Sequence, residues 1–228
     1  ALAEICEAYG VPCISGKDSM KNDSMMGGVK ISIPPTLLFS VIAKIDDVTR
    51  AVTVDVKSPG AIVYLLGTTA DELGASELYR HIGKAIANNV PQVHPDRNLA
   101  LYRTVQQAIE RELLQSCHCP ARGGLAIALA RTALGGRLGL DLDLDQVSDL
   151  AALRSAAALF SESCGRLLVT VDPEHGAALE DLLPPGVCAR LGTVTDRPEL
   201  LVRHHDRTVI RAGLDDLERR YKETFDAL

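Results

Sequence analysis

The sequence contains no tryptophan, and aromatic residues make up only 4% of its 228 positions. A surface that stacks bases needs aromatic rings, and one that follows a phosphate backbone needs excess positive charge. Here 24 Lys and Arg stand against 30 Asp and Glu, a formal net charge of −6, so no nucleic acid partner is expected. Long hydrophobic runs are also missing. The stretch Leu37 to Ala43, interrupted by Ser40, falls far short of the roughly 20 apolar residues of a membrane-spanning helix. The chain opens Ala-Leu-Ala-Glu-Ile-Cys-Glu, with no basic segment ahead of an apolar one, so no secretory signal is expected. It lacks an initial methionine, as expected of a domain taken from something longer. Neither a low-complexity tract nor a repeat of solenoid length occurs.

The cysteines Cys6, Cys13, Cys117, Cys119, Cys164 and Cys188 form no CxxC pair and no regular framework. They are expected to be reduced thiols of a cytoplasmic protein. Cys117-His118-Cys119 offers three soft ligands, but adjacent side chains diverge, and structural zinc sites space their ligands differently. A metal reading is set aside there.

What the sequence does have is a 46% hydrophobic content, enough at this length for a core without covalent staples. Residues 1–9 read as the end of a helix stopped by Gly10. Pro12 to Ser15, Val29 to Ile33 and Leu37 to Lys44 read as strands, separated by a polar loop and by Pro34-Pro35. A few strands and a helix stub cannot close a sheet, so this segment is expected to complete one elsewhere. A second unit begins after about residue 50, with Ala51 to Val56 as an entry strand and Ser58-Pro59-Gly60 as a turn. Strand Ala61 to Leu66, helix Leu99 to Leu114 and an apolar helix from Gly124 to Leu134 follow. Leu138, Leu140, Leu142 and Leu144 alternate with Gly139, Asp141, Asp143 and Asp145, the period of a strand with one solvated face. Strand Leu167 to Val171, helix Pro173 to Leu183, strands near 188–194, 200–204 and 208–211 with a hairpin at Asp206-Arg207, and a helix from Leu214 close the unit. The expected class is α+β, a mixed β-sheet packed by helices, and not a purely parallel winding.

Gly16-Lys17-Asp18-Ser19 has a glycine, a cation, a carboxylate and a hydroxyl in a row. A Walker A loop is excluded, because Val11 stands where its first glycine belongs and Asp18 where its Ser or Thr belongs. Backbone amides at a glycine turn can still meet phosphate oxygens, and a carboxylate can hold a hard cation. The alternative is a solvated loop. Glu77 after Ser76, and Glu162 with Ser163 in Phe160-Ser161-Glu162-Ser163, sit among apolar neighbours and have helix or loop capping as their plain reading. His118 reads as a packed or hydrogen-bonded histidine, since no carboxylate adjoins it. Asp141, Asp143 and Asp145 read as a solvated face.

Gly16-Lys17-Asp18-Ser19-Met20-Lys21-Asn22-Asp23, followed by Gly27-Gly28-Val29-Lys30-Ile31-Ser32-Ile33-Pro34-Pro35, resembles the second synthetase half of the phosphoribosylformylglycinamidine synthase family. Leu73-Gly74-Ala75-Ser76-Glu77, Gly123-Gly124-Leu125-Ala126 and Phe160-Ser161-Glu162-Ser163 with Gly165-Arg166 continue the resemblance in the same order. It implies a fold shared with aminoimidazole ribonucleotide synthetase and selenophosphate synthetase. Residues 1–50 would be the tail of an ATP-binding N-terminal domain, and 51–228 a complete C-terminal domain. It further implies ATP and Mg2+ as cofactors and the conversion of formylglycinamide ribonucleotide, with glutamine-derived ammonia, to its amidine in purine biosynthesis. The implied partners are the first synthetase half and a glutaminase domain or subunit; independently, an unpaired apolar strand at Leu37 to Ala43 leads us to expect self-association through residues 12–45 in the isolated chain. Gly16, Lys17 and Ser19 then stand at ATP or phosphate positions and Asp18 at the metal position, with Lys17 and Asp18 exchangeable between family branches. Glu77, His118, Glu162 and Ser163 stand at substrate or loop positions, while the family's catalytic histidine belongs to the first half. Two departures follow. His118-Cys119-Pro120-Ala121-Arg122 replaces a stretch that commonly carries carboxylates, and Cys164 stands where the first half has an amide. The chain alone is expected to be inactive. Rival readings are a scaffold half holding a structural nucleotide, or another ATP-using member of the same superfamily.

Overall fold

A computed structural model describes residues 2–17, 23–32, 36–83 and 87–226. The chain divides into two compact units, Ala1–Thr49 and Arg50–Leu228. In the first, helix α1 (Leu2–Tyr9) is followed by a hairpin of β1 (Ser24–Met26) and β2 (Val29–Ile31), with Met26 opposite Val29. Gly27 and Gly28 both take positive φ, 57° and 79°, the conformation of a tight two-residue hairpin turn. The expected strands at Pro12 to Ser15 and Leu37 to Lys44 are not formed. A strand exists only where its backbone finds a ladder partner, and Leu37 and Ile42 remain 88% and 92% exposed.

The second unit holds β3 (Ile62–Leu66), α2 (Glu77–His81), α3 (Pro95–Glu110), β4 (Ser116–His118), α4 (Gly124–Gly136) and β5 (Gly139–Asp143). These are followed by α5 (Ser148–Ala151), α6 (Ser155–Phe160), β6 (Leu167–Val171), α7 (Gly176–Leu182), β7 (Cys188–Thr195), β8 (Glu199–His204), β9 (Arg207–Gly213) and α8 (Leu214–Asp226). Seven strands form one sheet in the order β4-β6-β3-β7-β5-β8-β9. Every pairing is antiparallel except β5 with β8. This is the mixed sheet the interleaved pattern implies. The entry strand expected at Ala51 to Val56 is absent: the segment makes isolated backbone bonds, the carbonyl of Thr53 accepting from the amide of Cys117 at 3.0 Å and the amide of Val56 donating to the carbonyl of Thr132 at 3.3 Å, in place of a ladder. The last hairpin turns at His205 and Asp206, both at positive φ, one residue earlier than expected.

Alternation along β3 sends Val63 and Leu65 to one face and Ile62, Tyr64 and Leu66 to the other. The first face joins Leu140, Leu142, Leu168 and Val202 against α4, with Leu125 and Leu129 at its centre. The second joins Val169 and Val171 against Leu101 and Val105 of α3 and Leu179 of α7. Helix α4 can be buried because its sequence, Gly-Leu-Ala-Ile-Ala-Leu-Ala-Arg-Thr-Ala-Leu-Gly-Gly, is small and apolar nearly all round. Its C-terminal Gly136 lies so near the carbonyl of Val56 that a Cβ would collide with it. Among the described residues, no helix is long and apolar enough to cross a membrane.

Candidate functional site

Sheet topology brings three loops together. Because β6 runs antiparallel to both β3 and β4, with Leu66 opposite Leu167 and His118 opposite Leu168, the loops leaving β3 and β4 meet the loop entering β6. These are residues 67–76, 119–123 and 161–166. Glu162 is the hub: one of its carboxylate oxygens accepts from the backbone amides of Glu77 and Gly123, each at 2.8 Å. It thus satisfies a free amide in the first turn of α2 and another just ahead of α4. Ser76 caps α2 by accepting from the amide of Tyr79 at 3.3 Å. Ser161 and Ser163 accept from the amides of Glu72 and Ala70, both at 3.1 Å.

Beneath this junction lies Arg166, which is 0% exposed. Its guanidinium donates to the carbonyls of Ser163 (3.0 Å) and Ser161 (2.6 Å) and to the Thr69 hydroxyl (3.1 Å). Burial lowers its pKa to about 10, which still leaves it charged at neutral pH. Gly124, at φ +64, lets α4 start against the same loop, where a Cβ would lie 2.6 Å from the carbonyl of Ser161.

On the solvent side, Arg122 donates through Nε to Glu77 at 2.8 Å and pairs with the same carboxylate through Nη2. The arginine holds the Glu77 carboxyl below its usual range. His118, at the end of β4, has Nδ1 3.1 Å from the Thr132 hydroxyl, and burial lowers its pKa. Glu77, Glu162 and Ser163 are therefore gathered into one junction, with His118 on the strand leading into it. Gly16 and Lys17 belong to the first unit and are exposed, while Asp18 and Ser19 lie outside the described residues. Thr69 and Arg166 are the members that sequence reasoning missed as site residues. A lone Gly-Arg pair before an apolar strand carries no period that marks it as buried.

Two other polar groupings are accounted for by their own partners. The aspartates on β5 line a cleft of about 320 Å³ with Gln146, Arg190 and Arg203. They are not the freely solvated face expected: Asp141 is half-buried and paired with Arg203 at 2.5 Å, and Asp143 accepts from the amide of Asp145 at 3.0 Å. Asp145, His204 and His205 offer ligand atoms within 4.8 Å of one another. Both ring nitrogens of His204 are already engaged, by Ser155 Oγ at 2.9 Å and the carbonyl of Leu150 at 3.0 Å, so the trio lacks a third free ligand.

A family model described as AIR synthase related protein, C-terminal domain, matches residues 58–205. The chain belongs to this family. PurL, the phosphoribosylformylglycinamidine synthase subunit of Thermobifida fusca, is 37% identical over 230 residues, covering 100% of this chain and 28% of the relative. The PurL subunit of Methanocaldococcus jannaschii is 29% identical over 227 residues, covering 98% of this chain and 30% of the relative. Among solved structures, Thermotoga maritima PurL complexed with FGAR has a TM-score of 0.72 at 16% identity, covering 95% of this chain and 36% of that one. The same protein complexed with ATP has a TM-score of 0.60 at 19% identity, covering 75% and 27%. At these identities the structural likeness establishes the fold, the mixed sheet packed by helices. The chain spans under a third of the length of the two curated relatives. The AIR synthase related match covers β3, β4 and β6 and so takes in the whole Glu162 junction.

Proposed function

We propose that this chain is the closing portion of the second synthetase half of a phosphoribosylformylglycinamidine synthase. On this reading it contributes to the ATP-dependent, ammonia-using conversion of formylglycinamide ribonucleotide to its amidine in cytoplasmic purine biosynthesis. The observation that carries the reading is the 37% identity to a PurL subunit in an alignment that covers 100% of the chain. The first 50 residues are then the tail of an ATP-binding domain and 51–228 a whole C-terminal domain. The division between Thr49 and Arg50 supports this.

Gly16, Lys17 and Ser19 serve ATP or phosphate in this reading. Among the described residues, none beyond its chain neighbours comes within 4 Å of where a Cβ of Gly16 would stand, which suits the approach of a ligand to its backbone. Lys17 is exposed and able to meet phosphate oxygens. The donor chemistry of Asp18, a hard carboxylate oxygen, suits Mg2+, which when bound offsets phosphate charge. The Glu162 junction acts as a positioning element: one Glu162 carboxylate oxygen and the Ser163 hydroxyl hold backbone amides, and Glu77 and His118 face Arg122 and Thr132. Partners are the first synthetase half and a glutaminase.

The test is Lys17→Ala and Asp18→Ala in the complete synthase. A fall in turnover at saturating ATP supports the catalytic reading, whereas lost stability with normal turnover favours a scaffold half holding a structural nucleotide. Alone, the chain should make no amidine, because the groups of a ligase site must converge within contact distance. It should bind Mg-ATP no tighter than about millimolar, near −4 kcal/mol, as read by calorimetry. Micromolar binding would mean a self-sufficient site.

A further inference from the structure

Two thiols meet in the first unit. Helix α1 ends at Gly10, whose φ is +65°. The amide of Gly10 donates to the carbonyl of Glu7 at 3.2 Å and that of Val11 to the carbonyl of Cys6 at 3.0 Å. This pair of bonds turns the chain back along the last helical turn. Cys13 follows two residues after Val11, and its Sγ lies 3.6 Å from the Sγ of Cys6. A disulfide bond is about 2.05 Å long, so closure needs the sulfurs to approach by only about 1.5 Å. Residues 11–17 form no regular element that would resist it. The other four cysteines differ, since none has a sulfur neighbour within hydrogen-bond distance among the described residues.

We infer that Cys6 and Cys13 form a reversible dithiol–disulfide pair, a modification site for peroxides. Cys13 is exposed and Cys6 half-buried, so the oxidant reaches Cys13 first. The Cys13 sulfur attacks peroxide, the O–O bond breaks, one water leaves and Cys13 becomes a sulfenic acid. The Cys6 sulfur then attacks the Cys13 sulfur, the S–O bond breaks, and the hydroxyl departs with the Cys6 proton as a second water. Each sulfur gives up one electron, and the two together reduce the peroxide. The hydrogen bond between the thiols raises the Cys6 pKa, which favours Cys6 as the partner that keeps its proton until the second step. The closed ring ends three residues before Gly16 and restrains the segment leading to Lys17.

The measurement treats the reduced protein with hydrogen peroxide, blocks free thiols by alkylation and digests with trypsin without reductant. Within this sequence the tryptic fragment that ends at Lys17 contains Cys6 and Cys13 and no other cysteine. It should be recovered unalkylated and lighter by two hydrogen atoms, independently of protein concentration, and revert with dithiothreitol. Amide exchange at Ile14 to Lys17 should slow in the oxidised form. Cys6→Ser should divert Cys13 to sulfinic acid. Recovery of the peptide with both cysteines alkylated while exposed Cys119 is oxidised would overturn the proposal, as would its appearance only in a cross-link to a second chain.

Discussion

Glu162 holds two backbone amides that belong to different helices, so its carboxylate links α2 to α4 through a single side chain. Glu162→Ala leaves both donors without that acceptor, and a cost of about 2–4 kcal/mol is expected in urea unfolding. Glu162→Gln keeps an oxygen in place and should cost clearly less, which separates lost hydrogen bonding from lost charge. Arg166 is a buried cation answered by neutral oxygens. Arg166→Ala leaves two carbonyls and a hydroxyl without that donor and opens a cavity, which should cost about 2–5 kcal/mol, and Arg166→Lys should not restore it, because an ammonium cannot reach three acceptors spread around a planar fork. Asp55 provides a pH test. Hydrogen bonds from Thr53 Oγ1 and Lys57 Nζ lower its pKa from 3.8 to about 2. A depressed carboxylate stabilises the fold above its unfolded pKa, and that share is lost as pH falls from 3.8 through about 2. Asp55→Asn should therefore flatten the acid limb of a thermal melting profile in that window and lower the melting temperature above it.

At the scale of elements, α4 is the piece on which the second unit depends. It packs with Leu125, Leu129 and Ala133, all 0% exposed. Leu129→Ala should cost about 2–5 kcal/mol through the cavity it leaves. Gly124→Ala tests a different property. Its φ of +64° disfavours any side chain, and a Cβ would press on the carbonyl of Ser161. The expected result is a lower melting temperature, with chemical shift changes concentrated at 160–163, where a simple loss of helix propensity would not place them. Helix α3 shows how local signals set boundaries. It begins at Pro95, whose fixed φ and missing amide suit a first helical position, and ends at Glu110. The expectation of 99–114 followed the apolar stripe and overlooked that start signal.

At the scale of the whole molecule, the two units differ in how much they bury. The second has both sheet faces covered over β3 and β6. In the first, Leu37, Leu38, Val41 and Ile42 are all at least 79% exposed, a segment of the kind that recruits partners. Amide exchange should show strong protection through β3, β6 and α4 and little at 36–45 in a monomer. Protection at 36–45 that rises with protein concentration would identify self-association; equal protection in a proven monomer would contradict this account.

The sequence alone determined what depends on local period and on turn chemistry. The alternation at 138–144 became β5, with Leu140 and Leu142 in the core. The apolar run from Gly124 became the buried helix, and the breaks at Gly10 and Ser58-Pro59-Gly60 fell where elements end or turn. The mixed sheet was legible too, because hairpins and helical crossovers leave different spacings. Tertiary structure decided what depends on partners. Leu37 to Lys44 has the composition of a strand, yet composition supplies no ladder. The aspartates of β5 alternate like a solvated face, but Arg203, brought alongside by the parallel β5–β8 pairing, engages Asp141 from 62 residues away. Glu162 and Ser163 could be singled out as polar residues in apolar surroundings. That one Glu162 oxygen and the Ser163 hydroxyl hold the amides of residues 77, 123 and 70 follows only from three loops meeting at one end of a sheet, since hydrogen bonds between distant segments leave no periodic trace along the chain.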